Sequence, residues 1–206
     1  MDAIEKLSEY FKEFPGIGER QAKRFVYFLM ARNPNYSENL AKLILDLKKE
    51  ISQCAECFRF FNLRYSVDEK KICDICSNPK TDQSILMIIE KDSDLESVKK
   101  SKNYNGKYFV LGGLVPIVEK STPARIRLNE LKDKINNNKN NLKEIILAFS
   151  LSPQGDHTDM YIKSQLRELA DSLNIKISSL GRGLSTGTEL EYSDNETIKN
   201  ALQNRH

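Results

Sequence analysis

The stretch that decides the fold is Cys54-Ala55-Glu56-Cys57, then fifteen residues, then Cys73-Asp74-Ile75-Cys76. Each Cys-x-x-Cys pair fits a tight turn that aims two thiolates at one point, and two such pairs complete a tetrahedron suited to Zn²⁺. Four thiolates leave no position open for water. The spacing therefore predicts one structural zinc per chain, held by Cys54, Cys57, Cys73 and Cys76. A disulfide pair and a redox Cys-x-x-Cys are the competing readings, and twin pairs at this spacing argue against both. The surrounding segment, 51–84, closes on Asn78-Pro79-Lys80. It is too short for a hydrophobic core of its own, and a metal can take the place of one.

Upstream, residues 2–50 read as helical. Ile4, Leu7, Phe11 and Phe14 recur at helical spacing, as do Ala22, Phe25, Val26 and Leu29, and then Leu40, Leu43, Ile44 and Leu47. Phe14-Pro15-Gly16-Ile17-Gly18 breaks the first two helices apart. Gly16 and Gly18 permit backbone angles closed to other residues and let a ligand approach closely. The next helix starts near Glu19, and its free N–H groups suit a phosphate. Arg20 and Arg24 fall on the face opposite its apolar residues, with Lys23 at the edge. The turn and its basic helix resemble a helix-hairpin-helix motif. The predicted DNA contacts are Gly16, Gly18, Arg20, Lys23 and Arg24, gripping phosphates without reading bases. An ordinary helical corner, or a contact between subunits, is the alternative.

Downstream, residues 85–185 alternate strand-like and helix-like stretches. The apolar runs are Ile85–Ile89, Tyr108–Leu111, Ile145–Phe149 and Ile175–Leu180, with helical patterns near 92–102, 124–138 and 159–173. Such alternation predicts βαβ units and a mostly parallel sheet. The run Asn136–Asn141 reads as a solvated loop, and residues from about Asp194 as a short helix or tail. The fold class is thus α/β in a modular α+β arrangement. Its parts are 1–52 (helix-hairpin-helix), 53–79 (four-cysteine module), 80–180 (α/β domain) and 181–206 (C-terminal segment and helix).

Glu90 directly follows one strand, and Asp156 lies in the loop Ser150–His157 after another. Functional groups gather at the carboxyl ends of such strands, so the two could face one crevice and hold Mg²⁺ beside a phosphate. A strand ending in Glu, with acids after a later strand, resembles a Toprim domain. Enzymes of that kind bind metal with this Glu and an Asp-x-Asp pair. Here the pair is replaced by Gln154-Gly155-Asp156, one carboxylate fewer. No catalytic residue is assigned and the chain is read as a non-enzyme. His157 is either a crevice ligand or polar surface.

Composition agrees with a soluble globular chain, with 39% hydrophobic and 30% charged residues. A formal charge of only +3 means that any DNA site depends on local placement of Lys and Arg. The opening MDAIEKLSEY lacks the apolar core of a signal peptide, and the apolar runs are far too short to span a bilayer. A cytoplasmic, nucleoid-associated protein with no membrane contact is expected.

The order of hairpin, four-cysteine module and Toprim-like domain resembles the RecR family of bacterial recombination proteins over nearly the whole chain. The match is carried by Phe14–Gly18 with Ala22 and Arg24, by Cys54–Cys57 with Ile72–Pro79, by Tyr108–Gly113, and by Gly183–Tyr192. The resemblance implies a homo-oligomer, from dimer to tetramer ring, that clamps duplex or gapped DNA without sequence preference. It implies a RecO-type partner, in many bacteria a RecF-type partner as well, and a role in loading RecA on gapped DNA. The family's basic hairpin positions fall on Arg20 and Arg24, and its Toprim glutamate on Glu90. The face carrying Glu90 and Asp156 is where a RecO-type protein would dock. Gly183 to Gly187 resembles a Walker-B-like tail segment that contributes to subunit contacts. The chain departs from the family at Ser150–Asp156, where the family often has Asn-Pro-x-x-Glu-Gly-Glu. It departs again at Val118–Pro123, where the family tends to carry a glycine-rich loop. A metal-dependent Toprim enzyme and a protein scaffold without DNA affinity remain the alternatives.

Overall fold

The computed structural model describes residues 1–66, 70–118, 126–181, 187, 190–193 and 195–203. Gly183–Thr186 and Ser121–Pro123, both discussed above, lie outside the described residues. The chain divides into two compact units, Met1–Ser52 and Gln53–His206.

The first unit is three helices: α1 (Ala3–Lys12), α2 (Glu19–Met30) and α3 (Pro34–Glu50). Asp2 and Glu5 form a capping box that fixes the start of α1. Asn33 caps α3 and Pro34 fills its first turn, where a missing N–H costs nothing. The helical spacing of Leu40, Leu43, Ile44 and Leu47 is realised. That apolar stripe nonetheless stays largely in solvent, with Leu43 68% and Ile44 58% exposed. No residue of α3 is buried, and Leu40, Ala41 and Ile44 line an open apolar depression with Ile4 and Phe11 of α1 and Leu29 of α2.

The chain passes from the first unit into the second within β1 (Ile51–Gln53), which pairs with β2 (Phe60–Asn62) as a two-stranded sheet, and a single helical turn, α4 (Asp74–Ser77), follows. A four-stranded sheet follows, built of β3 (Asp82–Ile89), β4 (Gly106–Val110), β5 (Glu144–Ala148) and β6 (Lys176–Ser179). Its order is β4-β3-β5-β6 and all its pairs are parallel. The helices α5 (Asp92–Ser101), α6 (Leu128–Asn137) and α7 (Pro153–Leu173) connect the strands, and α8 (Asn195–Gln203) follows near the end of the chain. Both faces of the sheet are covered. Leu86, Ile88, Phe109, Leu111, Ile145 and Leu147 pack with α6 and α7 residues such as Leu131, Ile162 and Leu166. Met87, Ile89, Tyr108 and Val110 pack on the other side with Leu95 of α5. Strands buried on both faces read as continuous apolar runs, which is what made them legible.

Two sequence expectations need correction. Ser150–His157 is not all loop: α7 begins at Pro153, so Asp156 and His157 belong to its first turn. The Ser152 side chain accepts from the Gly155 N–H, and Pro153 takes the first helical position. Gly155 is required there, because a β-carbon would collide with the Ser150 carbonyl oxygen. The helix expected over 124–138 begins at Leu128, since Arg127 holds non-helical angles and its N–H pairs with the Leu111 carbonyl.

Candidate functional site

The two Cys-x-x-Cys turns meet. The Sγ atoms of Cys54, Cys57, Cys73 and Cys76 all lie within 4.8 Å of one another, and all four residues are buried. Cys57 Sγ and Cys73 Sγ are 3.6 Å apart. The edge of a tetrahedron with metal–sulfur bonds of about 2.3 Å is about 3.8 Å, so this geometry fits a tetrahedral thiolate site. Each turn is shaped by its backbone: Phe58 N–H bonds the Cys54 carbonyl and Ser77 N–H the Cys73 carbonyl, both at 3.0 Å. The N–H groups of Glu56 and Cys73 both point at Cys54 Sγ, at 3.5 and 3.4 Å. The thiols share their protons unequally. The hydrogen bond between Cys54 and Cys57 pushes Cys54 below the ordinary thiol range and Cys57 above it. Only a bound cation can hold all four as thiolates together.

Cations from the α/β domain and from the cysteine module itself stand around this cluster, which composition alone did not reveal. Lys107, the second residue of β4, is 3% exposed, and its Nζ donates to the Cys76 carbonyl at 2.6 Å and to that of Ile75 at 3.2 Å. Lys134 of α6 bonds Glu56 at 2.6 Å. Buried Arg59 pairs with Asp74, while its Nε lacks any partner among the described residues. Burial alone would pull the Arg59 pKa down, but the charges of Cys73 and Asp74 hold it above its ordinary value. A metal-bound set of four thiolates carries excess negative charge and offers sulfur acceptors, and these cations fit it. The apolar run Tyr108–Leu111 stops short of Lys107, so the sequence carries no signal that this lysine is buried in the strand.

Phe58 joins the cysteine module to the sheet. It adopts φ 62°, a left-handed angle rare for a bulky residue. Its ring packs edge-on against Phe109 at 5.4 Å, and the Arg127 guanidinium lies 5.2 Å from its centroid. Beside it, the Cys57 carbonyl accepts from Val110 N–H at 2.8 Å.

Glu90 follows β3 as expected, with its side chain only 19% exposed and Lys91 at 3.9 Å. It lines a depression of about 310 Å³ with Phe58, Phe60, Asp92, Gly112 and Arg127. Asp156 lines a different depression of about 380 Å³, with Ser150, Asp159, Lys163 and Ser179. The single crevice expected for the two carboxylates is therefore two. Among the described residues, the four cysteines form the only group of three or more His, Cys, Asp or Glu able to hold one metal ion. His157 is half-buried, and its Nδ1 has no partner among the described residues.

In the first unit, only one hairpin glycine needs its conformational freedom. Gly16 has φ 75°, whereas Gly18 has φ −88°, open to any residue. Both leave open surface where a β-carbon would stand. No side chain caps α2, so its first-turn N–H groups face outward beside that surface. Arg20, Lys23 and Arg24 are all exposed. Lys23 is tied to Glu19 at 2.8 Å, Arg24 touches Gln21 at 3.4 Å, and Arg20 is unpaired among the described residues.

Comparison with known proteins fits this architecture. Residues 84–180 match the Toprim domain model, and residues 183–206 match the model described as RecR, C-terminal. Recombination protein RecR of Lactobacillus acidophilus is 34% identical, covering 98% of this chain and 96% of its own length. Its namesake in Legionella pneumophila is 33% identical, covering 100% of this chain and 96% of its own length. The chain belongs to the RecR family of recombination proteins. Membership places it in recombination repair, and the Toprim match covers the four-stranded parallel sheet. No helix among the described residues of this RecR-family chain is long and apolar enough to cross a membrane.

Proposed function

We propose that this RecR-family chain is a DNA clamp and adaptor that does no covalent chemistry on DNA. The observation that carries the reading is the open turn Gly16–Gly18 next to the uncapped start of α2, with Arg20 and Arg24 exposed one helical turn apart. Backbone amides and guanidinium groups so arranged bind phosphate oxygens and carry no base information. Binding is therefore sequence-independent and weakened by salt.

Zinc is the metal that fits four buried thiolates, held by Cys54, Cys57, Cys73 and Cys76. Its task is structural, since four protein ligands close the coordination sphere. Glu90 and Asp156 serve as docking positions rather than catalytic ones, because each faces its own depression. A RecO-type protein is the partner proposed for that end of the sheet, with a RecF-type protein as an additional one. The complex then helps RecA load on gapped DNA, in the cytoplasm at the nucleoid. The exposed apolar stripe of α3 supports self-association into a dimer or a tetramer ring.

The same stripe also favours a second reading, a protein scaffold whose hairpin only builds the oligomer. Molar mass by light scattering, with and without gapped duplex DNA and at low and physiological salt, separates the two. An oligomer that takes up DNA at low salt and releases it as salt rises supports the clamp. An oligomer that ignores DNA at both salts supports the scaffold. Magnesium-dependent cleavage of DNA that is lost in Glu90→Gln would overturn both in favour of an enzyme.

A further inference from the structure

The four parallel strands all begin along one rim of the second unit, opposite the end where Glu90 and Asp156 lie. The segments that lead into them carry one exposed lysine each, or start on it: Lys102 ahead of β4, Lys80 ahead of β3, Lys143 ahead of β5, and Lys176 at the start of β6. Taken in the spatial order of the strands they lead into, β4-β3-β5-β6, they are Lys102, Lys80, Lys143 and Lys176, all at the same end of the sheet and spread over both of its faces. Lys139, also exposed, stands beside them. Hydrogen bonds stitch the segments together. Asp82 N–H bonds the Asn105 carbonyl at 2.9 Å, Lys143 N–H the Ser84 carbonyl at 2.8 Å, and Lys176 N–H the Lys143 carbonyl at 2.9 Å. The Asn105 and Asn138 amides add bonds to the Lys80 and Gln83 carbonyls at 3.1 and 2.9 Å. The lysines thus stand on a fixed frame.

The balance of charge favours a ligand. The carboxylates on these segments are Asp82 and Glu144, and both are engaged. Asp82 accepts from Ser84, and Glu144 accepts from Ser178 and pairs with Lys176 at 3.6 Å. Five lysines against two carboxylates give this rim an excess equal to the formal charge of the whole chain, +3. The helices α5, α6 and α7 end beside the rim, and their C-terminal dipoles offset about half a charge each. That leaves roughly half of the excess uncompensated. Around these lysines stand exposed asparagines, Asn103, Asn140, Asn141 and Asn174, which can donate to phosphate oxygens without adding a competing charge.

We propose that this lysine rim is a second contact surface for a nucleic-acid phosphate backbone, separate from the α2 hairpin. Three strand spacings of about 4.8 Å make the rim about 14 Å long. One strand of duplex DNA carries a phosphate per about 3.4 Å of helix axis, so a rim of this length meets at most about four phosphates, and fewer where the winding backbone crosses it obliquely. A spread of this length matches a backbone better than it matches a compact anion. The proposal rests on the reading of this chain as a DNA binder, and the test separates the two.

The test uses the full chain with zinc bound and a fluorescent gapped duplex, and it measures the dissociation constant across a salt series. The variants are Lys80→Gln/Lys102→Gln/Lys143→Gln/Lys176→Gln and Arg20→Ala/Arg24→Ala, with unchanged zinc content and circular dichroism as fold controls. The quadruple variant is expected to bind at least tenfold more weakly at low salt. Its slope of log affinity against log salt should be shallower by about 2–4, at about 0.9 for each phosphate no longer neutralised. An unchanged slope in the quadruple variant, with binding abolished in the arginine variant, overturns the rim and leaves the hairpin standing. The reverse result supports the rim and overturns the hairpin. If the quadruple change leaves DNA binding intact but abolishes binding of polyglutamate, the rim serves an acidic protein and the nucleic-acid assignment falls.

Discussion

Replacing Lys107 by Met should loosen the metal centre from a distance. Methionine keeps the length of the stem but removes the charge and every donor. The Lys107 Nζ holds the carbonyls of Cys76 and Ile75 at 2.6 and 3.2 Å, in a position only 3% exposed. A hydrogen bond from a charged donor contributes about 1.5–3 kcal/mol, and a carbonyl left unpaired in the interior costs a similar amount. Counting the longer bond at the low end, the destabilisation is about 3 kcal/mol. Those carbonyls belong to the turn that presents Cys76, so the cost falls on the metal-bound form. At about 1.4 kcal/mol per decade, zinc should bind roughly a hundredfold more weakly. Competition with a chelating dye measures this directly, and urea unfolding of the zinc-bound protein gives an independent value. Lys100→Met, at an exposed position of α5, serves as the control. Zinc affinity within about threefold of the original in Lys107→Met, with an unmoved urea midpoint, would refute the claim that β4 braces the cluster.

Other consequences can be checked as simply. Phe58→Ala removes a half-buried ring that packs on Phe109 and under Arg127, and should lower stability in urea by about 2–3 kcal/mol. Ser152→Ala should cost about 1 kcal/mol through removal of the α7 cap, whereas Gly155→Ala, whose β-carbon meets backbone, should cost more than that in the same thermal-unfolding series. Zinc affinity should fall as pH drops, because protons compete with the metal for four thiolates, and the chelating-dye assay repeated across pH reads that sign. Ile44→Asp, in the exposed stripe of α3, should shift the molar mass toward the monomer without changing the zinc content.

How much could be read from the sequence differs by element, for physical reasons. The cysteine cluster was fully legible because metal ligation leaves a fixed spacing. Strands β3, β4 and β5 were legible because burial on both faces gives unbroken apolar runs. The start of α7 is marked by Ser152-Pro153, a cap followed by a first-turn proline, but the acidic Asp156 draws the same segment into a loop reading. The shared crevice for Glu90 and Asp156 was an inference from strand order alone. Pocket shape depends on neighbours such as Phe58, Arg127 and Lys163, which come from distant parts of the chain. Lys107 and Arg59 were hidden for the same reason, because a cation's role depends on which carbonyls and thiolates lie beside it. The α3 stripe was read correctly as a helical face, but periodicity does not say whether a face is covered.

The clamp reading turns on whether Arg20 and Arg24 grip DNA. Fluorescence anisotropy of a gapped duplex, titrated with the zinc-bound protein and with Arg20→Ala/Arg24→Ala at about 50 and 200 mM salt, tests it most directly. A DNA clamp of this kind binds at the lower salt, weakens steeply between the two salts, is indifferent to sequence, and binds far more poorly in the double variant. Equal affinity in the two proteins, or no binding by either at the lower salt, would contradict it.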